Sequence, residues 1–213
     1  EAQNGLRGEY YQNPGWNSPY RAFNNATVNY TSFPTANFPD TNSDDLSVRW
    51  LGSVVAPGTG ASIVVTFYFR TDDGGRVWVN GQLVVDQWVY QGIPGQPGPS
   101  GTITLVPGRK YDIVCEMFEG GGGEGAILEW SYTGQTQILI PNGSLRAQVS
   151  TPQFNIASGA YTDTQLLTLR CPTAGSAIEV NTGAGYVAYT GPISVNATST
   201  ILARATRPGV PTS

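Results

Sequence analysis

The sequence predicts an all-β protein built from many short strands. Among its 213 residues there are 27 glycines and 15 prolines, and only 12% of the residues are charged. Glycine and proline favour turns and disfavour helix interiors. Short runs rich in Val, Thr, Ile and Tyr stand between these turn residues, which is typical of strands. Because hydrophobic residues make up 39% of the chain, we expect a packed core rather than disorder.

The N-terminal part alternates strand-like runs with strong turn signals. We predict strands at residues 5–11, 46–51, 63–70, 76–79, 83–88, 103–106, 111–118 and 126–132. Asn80-Gly81 is a strong signal for a tight hairpin. Residues 12–45, rich in Asn, Pro, Thr and Ser, are predicted to form a long loop region, and residues 91–101 a shorter Gly/Pro loop.

A second domain is predicted from a change in composition near residue 148. The later sequence carries short runs rich in Thr, Ala and Ser, and we predict strands at residues 166–170, 177–180, 193–195 and 200–205. Strands at this spacing favour a β-sandwich. The predicted domains are residues 1–148 and 149–213.

Charge and residue counts exclude several classes of function. The net charge is −4 and the 11 Lys and Arg residues are scattered, so nucleic-acid binding is disfavoured. The chain has no histidine and two cysteines, which excludes His-dependent catalysis and a structural zinc site. A bound metal would have to lie among oxygens, as calcium does. There is no apolar run of the roughly 20 residues that a membrane-spanning helix needs.

Features typical of secreted proteins are also present. No signal segment opens the chain, and Glu1 is interpreted as the start of a processed, secreted or cell-surface chain. Asn25, Asn29, Asn142 and Asn196 each begin an N-glycosylation triplet. These four are either glycan acceptors of a glycoprotein or ordinary turn and strand asparagines.

The two cysteines divide between the predicted domains. Cys115 and Cys171 form either an interdomain disulfide, natural in an oxidising compartment, or two buried thiols.

The pair Asp72-Asp73 is the sharpest chemical feature. Two adjacent carboxylates repel unless a cation neutralises them, and calcium favours flexible oxygen ligands. A later loop with four consecutive glycines flanked by carboxylates offers further oxygens. The alternative is an ordinary hairpin turn, since Asp and Gly are common turn residues. The predicted metal ligands are Asp72, Asp73, Glu119, Gly121 and Gly123.

A long series of motifs resembles the PA14 domain. The motifs are GLRGEYY at 5–11, SVRWLG at 47–52, FRTDDGGRVWVNGQLVVDQW at 69–88, PGRKYDI at 107–113, FEGGG at 118–122 and LEWS at 128–131. The resemblance covers about residues 5–147 and implies a β-sandwich or barrel of the kind found in adhesins, glycosidase accessory modules and toxins. In lectin-type members, adjacent aspartates bind calcium, which then coordinates sugar hydroxyls; the matching residues here are Asp72 and Asp73. The third ligand of yeast-adhesin members is an asparagine, and Glu119 stands at or near that place.

The second domain resembles the immunoglobulin-like chitobiase/β-hexosaminidase C-terminal-type domain. The motifs are TPQF at 151–154, SGAY at 158–161, AIEV at 177–180 and YTGPI at 189–193. That family closes with one more strand, so the resemblance implies a small Ig-like sandwich that lacks its last strand. Such an edge could pair with another chain.

The functional hypothesis is an extracellular, calcium-dependent carbohydrate-binding or adhesion module, a lectin without enzymatic activity. Its partner would be a glycan or cell-surface polysaccharide, held at Asp72 and Asp73 and stacked on Trp88 and Tyr90. Trp50, Trp78 and Trp130 stand in strand patterns and are interpreted as core residues. The alternative hypothesis is a structural subunit or repeat of an extracellular filament, sheath or cell wall, whose partners are copies of itself or further domains of a longer chain. No motif singles out the pair of carboxylates that a glycosidase needs.

Overall fold

The computed structural model describes residues 3–12, 19–34, 44–149, 151–171, 173 and 175–207. The described residues form strands and turns with one short 3-10 turn at Asn142–Ser144, so the all-β prediction is confirmed. The chain divides into two compact units, Glu1–Ala147 and Gln148–Ser213. Within the described part, we find no helix with the length and apolar character needed to cross a membrane.

Thirteen strands lie in the described part of the first unit. They are β1 Gln3–Asn4, β2 Leu6–Tyr11, β3 Arg21–Asn25, β4 Asn29–Tyr30, β5 Leu46–Val55, β6 Ile63–Asp72, β7 Gly74–Val79, β8 Gln82–Gln87, β9 Ser100–Leu105, β10 Lys110–Glu119, β11 Gly125–Tyr132, β12 Gln135–Leu139 and β13 Leu145–Ala147. All eight strands predicted for this part are present, with ends shifted by a few residues.

These strands form two sheets that enclose one core. The larger sheet has the order β1-β13-β5-β10-β7-β8, with β2 also paired to β5 and β3 to β2. The smaller sheet has the order β12-β11-β6-β9, with β4 beside β11. The paired strands in the described part of both sheets run antiparallel. This arrangement is a β-sandwich.

Alternating burial shows which side chains fill the space between the sheets. Along β6, Val65, Phe67 and Phe69 are fully buried, and along β10, Ile113, Cys115 and Met117 are fully buried, while the residues that alternate with them are partly exposed. A strand places successive side chains on opposite faces, so these series are the inward ones. Both belong to the same hydrophobic cluster.

Local sequence signals account for some features and mislead at others. The Asn80-Gly81 hairpin between β7 and β8 is confirmed, with positive φ at both turn residues. The long loop predicted over 12–45 is wrong in part, because β3 and β4 lie within it; residues 13–18 and 35–43 of that range lie outside the described residues.

The core prediction holds for two of three tryptophans. Trp50 and Trp130 are 0% and 2% exposed. Trp78 alternates with the buried Val77 and Val79 along β7, so its side chain lies on the outer face of the larger sheet. The prediction for Trp78 is therefore wrong. A strand-like sequence pattern does not by itself show which face of the sheet a tryptophan occupies.

Asn25 is not available as a glycan acceptor in the folded chain. It is 4% exposed, its amide nitrogen donates to the Tyr30 hydroxyl, and its carbonyl oxygen accepts from Tyr10 and Trp50 at 3.1 and 2.9 Å. This prediction is therefore wrong for the folded chain. The other three triplets begin at exposed asparagines, and their use stays a prediction.

Cys115 lies in the inward series of β10, where it is a fully buried free thiol. Cys171 belongs to the other unit, so a disulfide between the two units stays a prediction. Burial raises the pKa of the Cys115 thiol far above its usual range. This cysteine packs as a small apolar side chain between the sheets.

The second unit contains seven short strands in its described part. They are β14 Gln153–Phe154, β15 Gln165–Leu167, β16 Leu169–Arg170, β17 Ala177–Asn181, β18 Tyr186–Ala188, β19 Ile193–Val195 and β20 Leu202–Thr206. They pair as β14-β16, β15-β19 and β18-β17-β20. The predicted loss of a closing strand concerns the chain end, and residues 208–213 lie outside the described residues.

Candidate metal and carbohydrate site

Asp72 and Asp73 occupy a corner where the chain passes from one sheet to the other. Strand β6 ends at Asp72 in the smaller sheet, and β7 begins at Gly74 in the larger sheet. The peptide bond between the two aspartates is cis. The amide of Asp73 donates to the Phe118 carbonyl oxygen at 2.9 Å, which ties the corner to β10. The hairpin alternative is therefore wrong, because the flanking strands belong to different sheets.

Glu119 reaches the same corner because of its register in β10. It follows Ile113, Cys115 and Met117 in the inward series and is the last residue of the strand. At this end of the sandwich, an inward-pointing side chain lies beyond the apolar core. The Glu119 carboxylate meets the two aspartates instead.

Three carboxylates converge at this corner. One oxygen each from Asp72, Asp73 and Glu119 lies within 4.8 Å of the other two. Asp73 and Glu119 are only 5% and 1% exposed, so water screens them weakly. Two like charges about 4 Å apart repel by on the order of 4 kcal/mol at an effective dielectric of about 20. The cluster is thus costly in its fully charged form.

Backbone amides satisfy both oxygens of Asp73. The amide of Gln91 donates to one carboxylate oxygen at 2.8 Å, and the amide of Gly120 donates to the other at 3.0 Å. The Gln91 side chain also donates to the carbonyl oxygens of Thr71 and Asp73, at 3.3 and 3.2 Å. These bonds fix the direction of the Asp73 carboxylate from two loops.

Glu119 keeps one oxygen without a partner. Its Oε1 accepts a hydrogen bond of 2.5 Å from the amide of Gly121, but its buried Oε2 has no hydrogen-bond partner. Burial, followed by the charges of Asp73, Asp72 and Asp44, raises the pKa of Glu119 to about 7. A buried carboxylate oxygen without a donor is rare and calls for an ion or a proton.

Asp72 forms the more open side of the cluster. Partial burial, followed by the charge of Asp73, raises the pKa of Asp72, while a hydrogen bond from the backbone of Ile93 opposes the rise. Gly123 lies directly against this carboxylate, since a Cβ atom there would come within 2.9 Å of Asp72 Oδ2. The glycine thus allows the loop to approach Asp72.

The cluster fits a hard cation. All of its side-chain donors are oxygens, one buried oxygen lacks a partner, and no ion pair found in the described chain includes Asp72, Asp73 or Glu119. Three carboxylates on flexible glycine-rich backbone suit calcium better than magnesium, which requires stricter geometry. The carbonyl oxygens of Gly121 and Gly123 as ligands stay a prediction; the Gly121 amide itself turns toward Glu119.

Further acidic residues surround the cluster. The Gly122 amide donates to Asp44 at 3.1 Å, and the Ser32 hydroxyl donates to Glu124 at 2.9 Å. The charges of Asp44 and Glu124 act on Glu119 and Asp72, respectively. The rim therefore adds to the negative potential of the three carboxylates.

The two aromatic candidates differ in availability. Tyr90 is 79% exposed, and its ring lies against Gly120, where a Cβ atom would come within 2.5 Å of the ring. Trp88 is partly buried: the Arg76 guanidinium carbon lies 3.7 Å from its ring centroid, and the Phe118 ring packs at 4.8 Å. Tyr90 is the ring that is open beside the carboxylates.

Sequence reasoning brought Asp72, Asp73 and Glu119 together but missed the residues that hold them. Gln91, Ile93 and Gly120 act through backbone amides, which any residue type supplies. The sequence could therefore indicate only that these residues lie in loops, and not that their amides point at the carboxylates.

Comparison with known proteins identifies the family of the first unit. The model of one family, described as "PA14 domain", matches residues 2–144, more than half of the chain. The chain belongs to the PA14 domain family. The match ends at residue 144, so the Ig-like resemblance of the second unit stays a prediction.

One curated relative of this PA14 chain is an anti-sigma factor. The Anti-sigma-I factor RsgI3 of Acetivibrio thermocellus is 34% identical over 141 residues, 66% of this chain and 21% of that protein. The chain thus spans about a fifth of the curated relative that it matches.

Solved structures show the same fold. An anti-sigma factor domain-containing protein from Clostridium clariflavum has a TM-score of 0.59 at 23% identity, covering 92% of this chain and 60% of that one. A PA14 sugar-binding domain from an RTX adhesin has a TM-score of 0.55 at 20% identity, covering 68% of this chain and 99% of that one.

Proposed function

We propose that this chain is a non-enzymatic, extracellular carbohydrate-binding module whose site is assembled on calcium. The observation that carries the proposal is the buried Glu119 Oε2, which lacks a hydrogen-bond partner and lies beside the carboxylates of Asp72 and Asp73. A bound calcium ion would supply open coordination positions for sugar hydroxyls. The sugar-binding PA14 domain of an RTX adhesin, a structural neighbour, supports a glycan as the partner.

The chain's own residues prepare this site in two ways. Gln91 and Gly120 orient the Asp73 carboxylate, and the glycine-rich loop lets backbone approach Asp72. Tyr90 presents an exposed ring against Gly120, suited to stack on the apolar face of a pyranose ring.

Charge favours neutral sugars as ligands. The three carboxylates and the nearby Asp44 and Glu124 carry more negative charge than one divalent ion neutralises. A uronic acid or sialic acid would therefore be repelled. We expect a neutral glycan or polysaccharide with adjacent hydroxyls.

The three carboxylates are arranged for joint binding of one cation. One oxygen each from Asp72, Asp73 and Glu119 lies within 4.8 Å of the other two, so a single ion can contact all three.

Calcium titration followed by glycan-array binding tests the proposal. The wild-type chain should bind one calcium ion by isothermal titration, and glycan binding should disappear in excess chelator. Asp73→Ala should abolish both. Asp86→Ala is the matched control, because Asp86 is an exposed carboxylate on β8 and should leave both unchanged. Glycan binding that survives Asp73→Ala would refute calcium dependence.

Tyr90 gives a second, independent test. Tyr90→Ala should weaken glycan binding about tenfold, the scale of one aromatic contact, and leave calcium affinity unchanged. Tyr20→Ala removes another exposed tyrosine and should change neither value. Equal effects of the two substitutions would contradict a stacking role.

The structural-subunit hypothesis for a filament, sheath or wall stays a prediction. Size-exclusion chromatography and electron microscopy of the purified chain distinguish the two hypotheses. A structural subunit should form polymers, whereas a binding module should not.

A further inference from the structure

One end of the loop beside the carboxylates contacts Asp73, and its other end is hydrogen-bonded to a buried ion pair. This loop, residues 88–99, connects β8 of the larger sheet with β9 of the smaller sheet. It contains no strand of its own. One end of it holds the carboxylates, since the Gln91 amide donates to Asp73 at 2.8 Å.

The other end is held by Glu129 and Arg70 on the outer face of the smaller sheet. Arg70 Nε donates to Glu129 Oε2 at 2.8 Å, with the two side chains 14% and 5% exposed. The Gln96 side chain, from the loop, donates to Glu129 Oε1 at 2.7 Å. Arg70 also donates to the carbonyl oxygen of Pro94 at 3.1 Å.

Strand β12 contributes the last part of this attachment. Gln137 Nε2 donates both to Glu129 Oε2 at 2.9 Å and to the carbonyl oxygen of Pro97 at 3.1 Å. Both Glu129 oxygens are therefore engaged by two strands and the loop. We call Arg70, Glu129, Gln96 and Gln137 the loop anchor.

We propose that Glu129 is a positioning residue which sets the calcium affinity of the site through the loop anchor, without contacting the ion. The proposal rests on the proposed calcium function. Fixing residues 94–97 leaves few conformations to residues 91–93, so the Gln91 amide already points at the Asp73 carboxylate before an ion binds. Groups that hydrogen-bond to a metal ligand, as the Gln91 amide does to Asp73, typically change metal affinity by 10- to 100-fold when they are lost, and Glu129 acts through such a group.

Calcium titrations of anchor variants test the proposal. Because Glu129 acts through the loop, Glu129→Gln should weaken calcium binding by up to about 10-fold, the lower end of the range for direct partners of a ligand. Gln96→Ala removes one exposed loop side chain, leaves the ion pair in place, and should weaken binding several-fold with little change in the melting temperature without calcium. Gln96→Ala also keeps the test informative if Glu129→Gln fails to fold.

Glu116→Gln is the matched control. Glu116 pairs with Arg49 at 2.6 Å on the larger sheet, with the side chains 13% and 15% exposed. The hydrogen bonds found for this pair among the described residues join the two side chains to each other. The Glu116→Gln substitution should lower the melting temperature while calcium affinity stays within twofold. Unchanged affinity in both anchor variants, or an equal loss in Glu116→Gln, would overturn the proposal.

Hydrogen exchange separates this proposal from the proposed function. In excess chelator, the Gln91 and Ile93 amides should exchange faster in Gln96→Ala than in the wild-type chain. If the wild-type chain binds no calcium, the proposed function fails, and this exchange measurement alone decides whether the anchor fixes the loop. Equal exchange in both proteins would overturn the anchor.

Discussion

Two buried glutamates, Glu119 and Glu129, show how one residue type takes opposite roles in the same sandwich. They lie on β10 and β11, which follow each other in the chain, and are 1% and 4% exposed. Glu129 accepts hydrogen bonds from Arg70, Gln96 and Gln137, which lower its pKa against the opposing effect of burial. For Glu119, burial and neighbouring carboxylates raise the pKa to about 7.

The difference lies in which charge the chain itself supplies. Arg70 neutralises Glu129 within the fold, so that site is complete. Around Glu119 the chain supplies Asp72 and Asp73, which increase the negative charge, and backbone amides that satisfy only part of it. A structural carboxylate thus carries its own counter-ion, whereas a binding carboxylate leaves the counter-ion to the ligand.

The largest expected effect follows from removing the Glu129 charge. Glu129→Gln leaves Arg70 buried without its partner, and breaking such a pair costs about 3 kcal/mol. Urea denaturation in excess chelator should show this loss in the free energy of unfolding. A loss below about 0.5 kcal/mol, the range of neutral surface substitutions, would contradict the structural role of Glu129.

The same substitution at Glu119 should have the opposite sign. At pH 8 without calcium, Glu119→Gln removes a buried charge that faces two others, so the free energy of unfolding should rise by about 1 to 2 kcal/mol. Calcium at 100 times its dissociation constant should stabilise the wild-type chain by about 2.7 kcal/mol and the variant much less. Destabilisation of the calcium-free variant would show that Glu119 is not under repulsion.

The comparison also shows what sequence could predict. Alternation of Val, Ile and Phe, together with Asn80-Gly81, determined the strands and the hairpin, because those signals act locally. The convergence of Asp72, Asp73 and Glu119 was predicted from resemblance and from the glycine-rich loop. Local spacing alone favoured a hairpin, since the crossing from one sheet to the other depends on pairing with distant strands.

Other features depended on tertiary contacts and escaped prediction. The burial of Asn25 arises from Tyr10, Tyr30 and Trp50, which are near in space and give no signal within the triplet itself. The backbone amides of Gln91 and Gly120 carry no side-chain signature. Residue type therefore identified the charged members of the site, and only the fold identified the donors that position them.

Without calcium, the two glutamates should affect the pH dependence of the free energy of unfolding in opposite directions. The expected change per pH unit is the smallest of the predicted effects. Because the folded pKa of Glu119, about 7, exceeds the ordinary glutamate pKa of 4.5, the folded state holds a proton that the unfolded chain has already released. Its contribution to stability is complete below about pH 4.5 and is lost as pH rises through 7. The raised pKa of Asp72 acts in the same direction.

Glu129 should act in the opposite direction and at lower pH. Its lowered pKa contributes stability above about 4.5 that is lost as the medium becomes more acidic. In chelator, the free energy of unfolding should therefore fall between pH 5 and 7 by at most about 1 kcal/mol per pH unit from Glu119. With saturating calcium the trend should reverse, because the ion competes with protons for the carboxylates. Glu119→Gln should flatten both trends, and a variant that keeps the wild-type slope in chelator would assign the titration to another group.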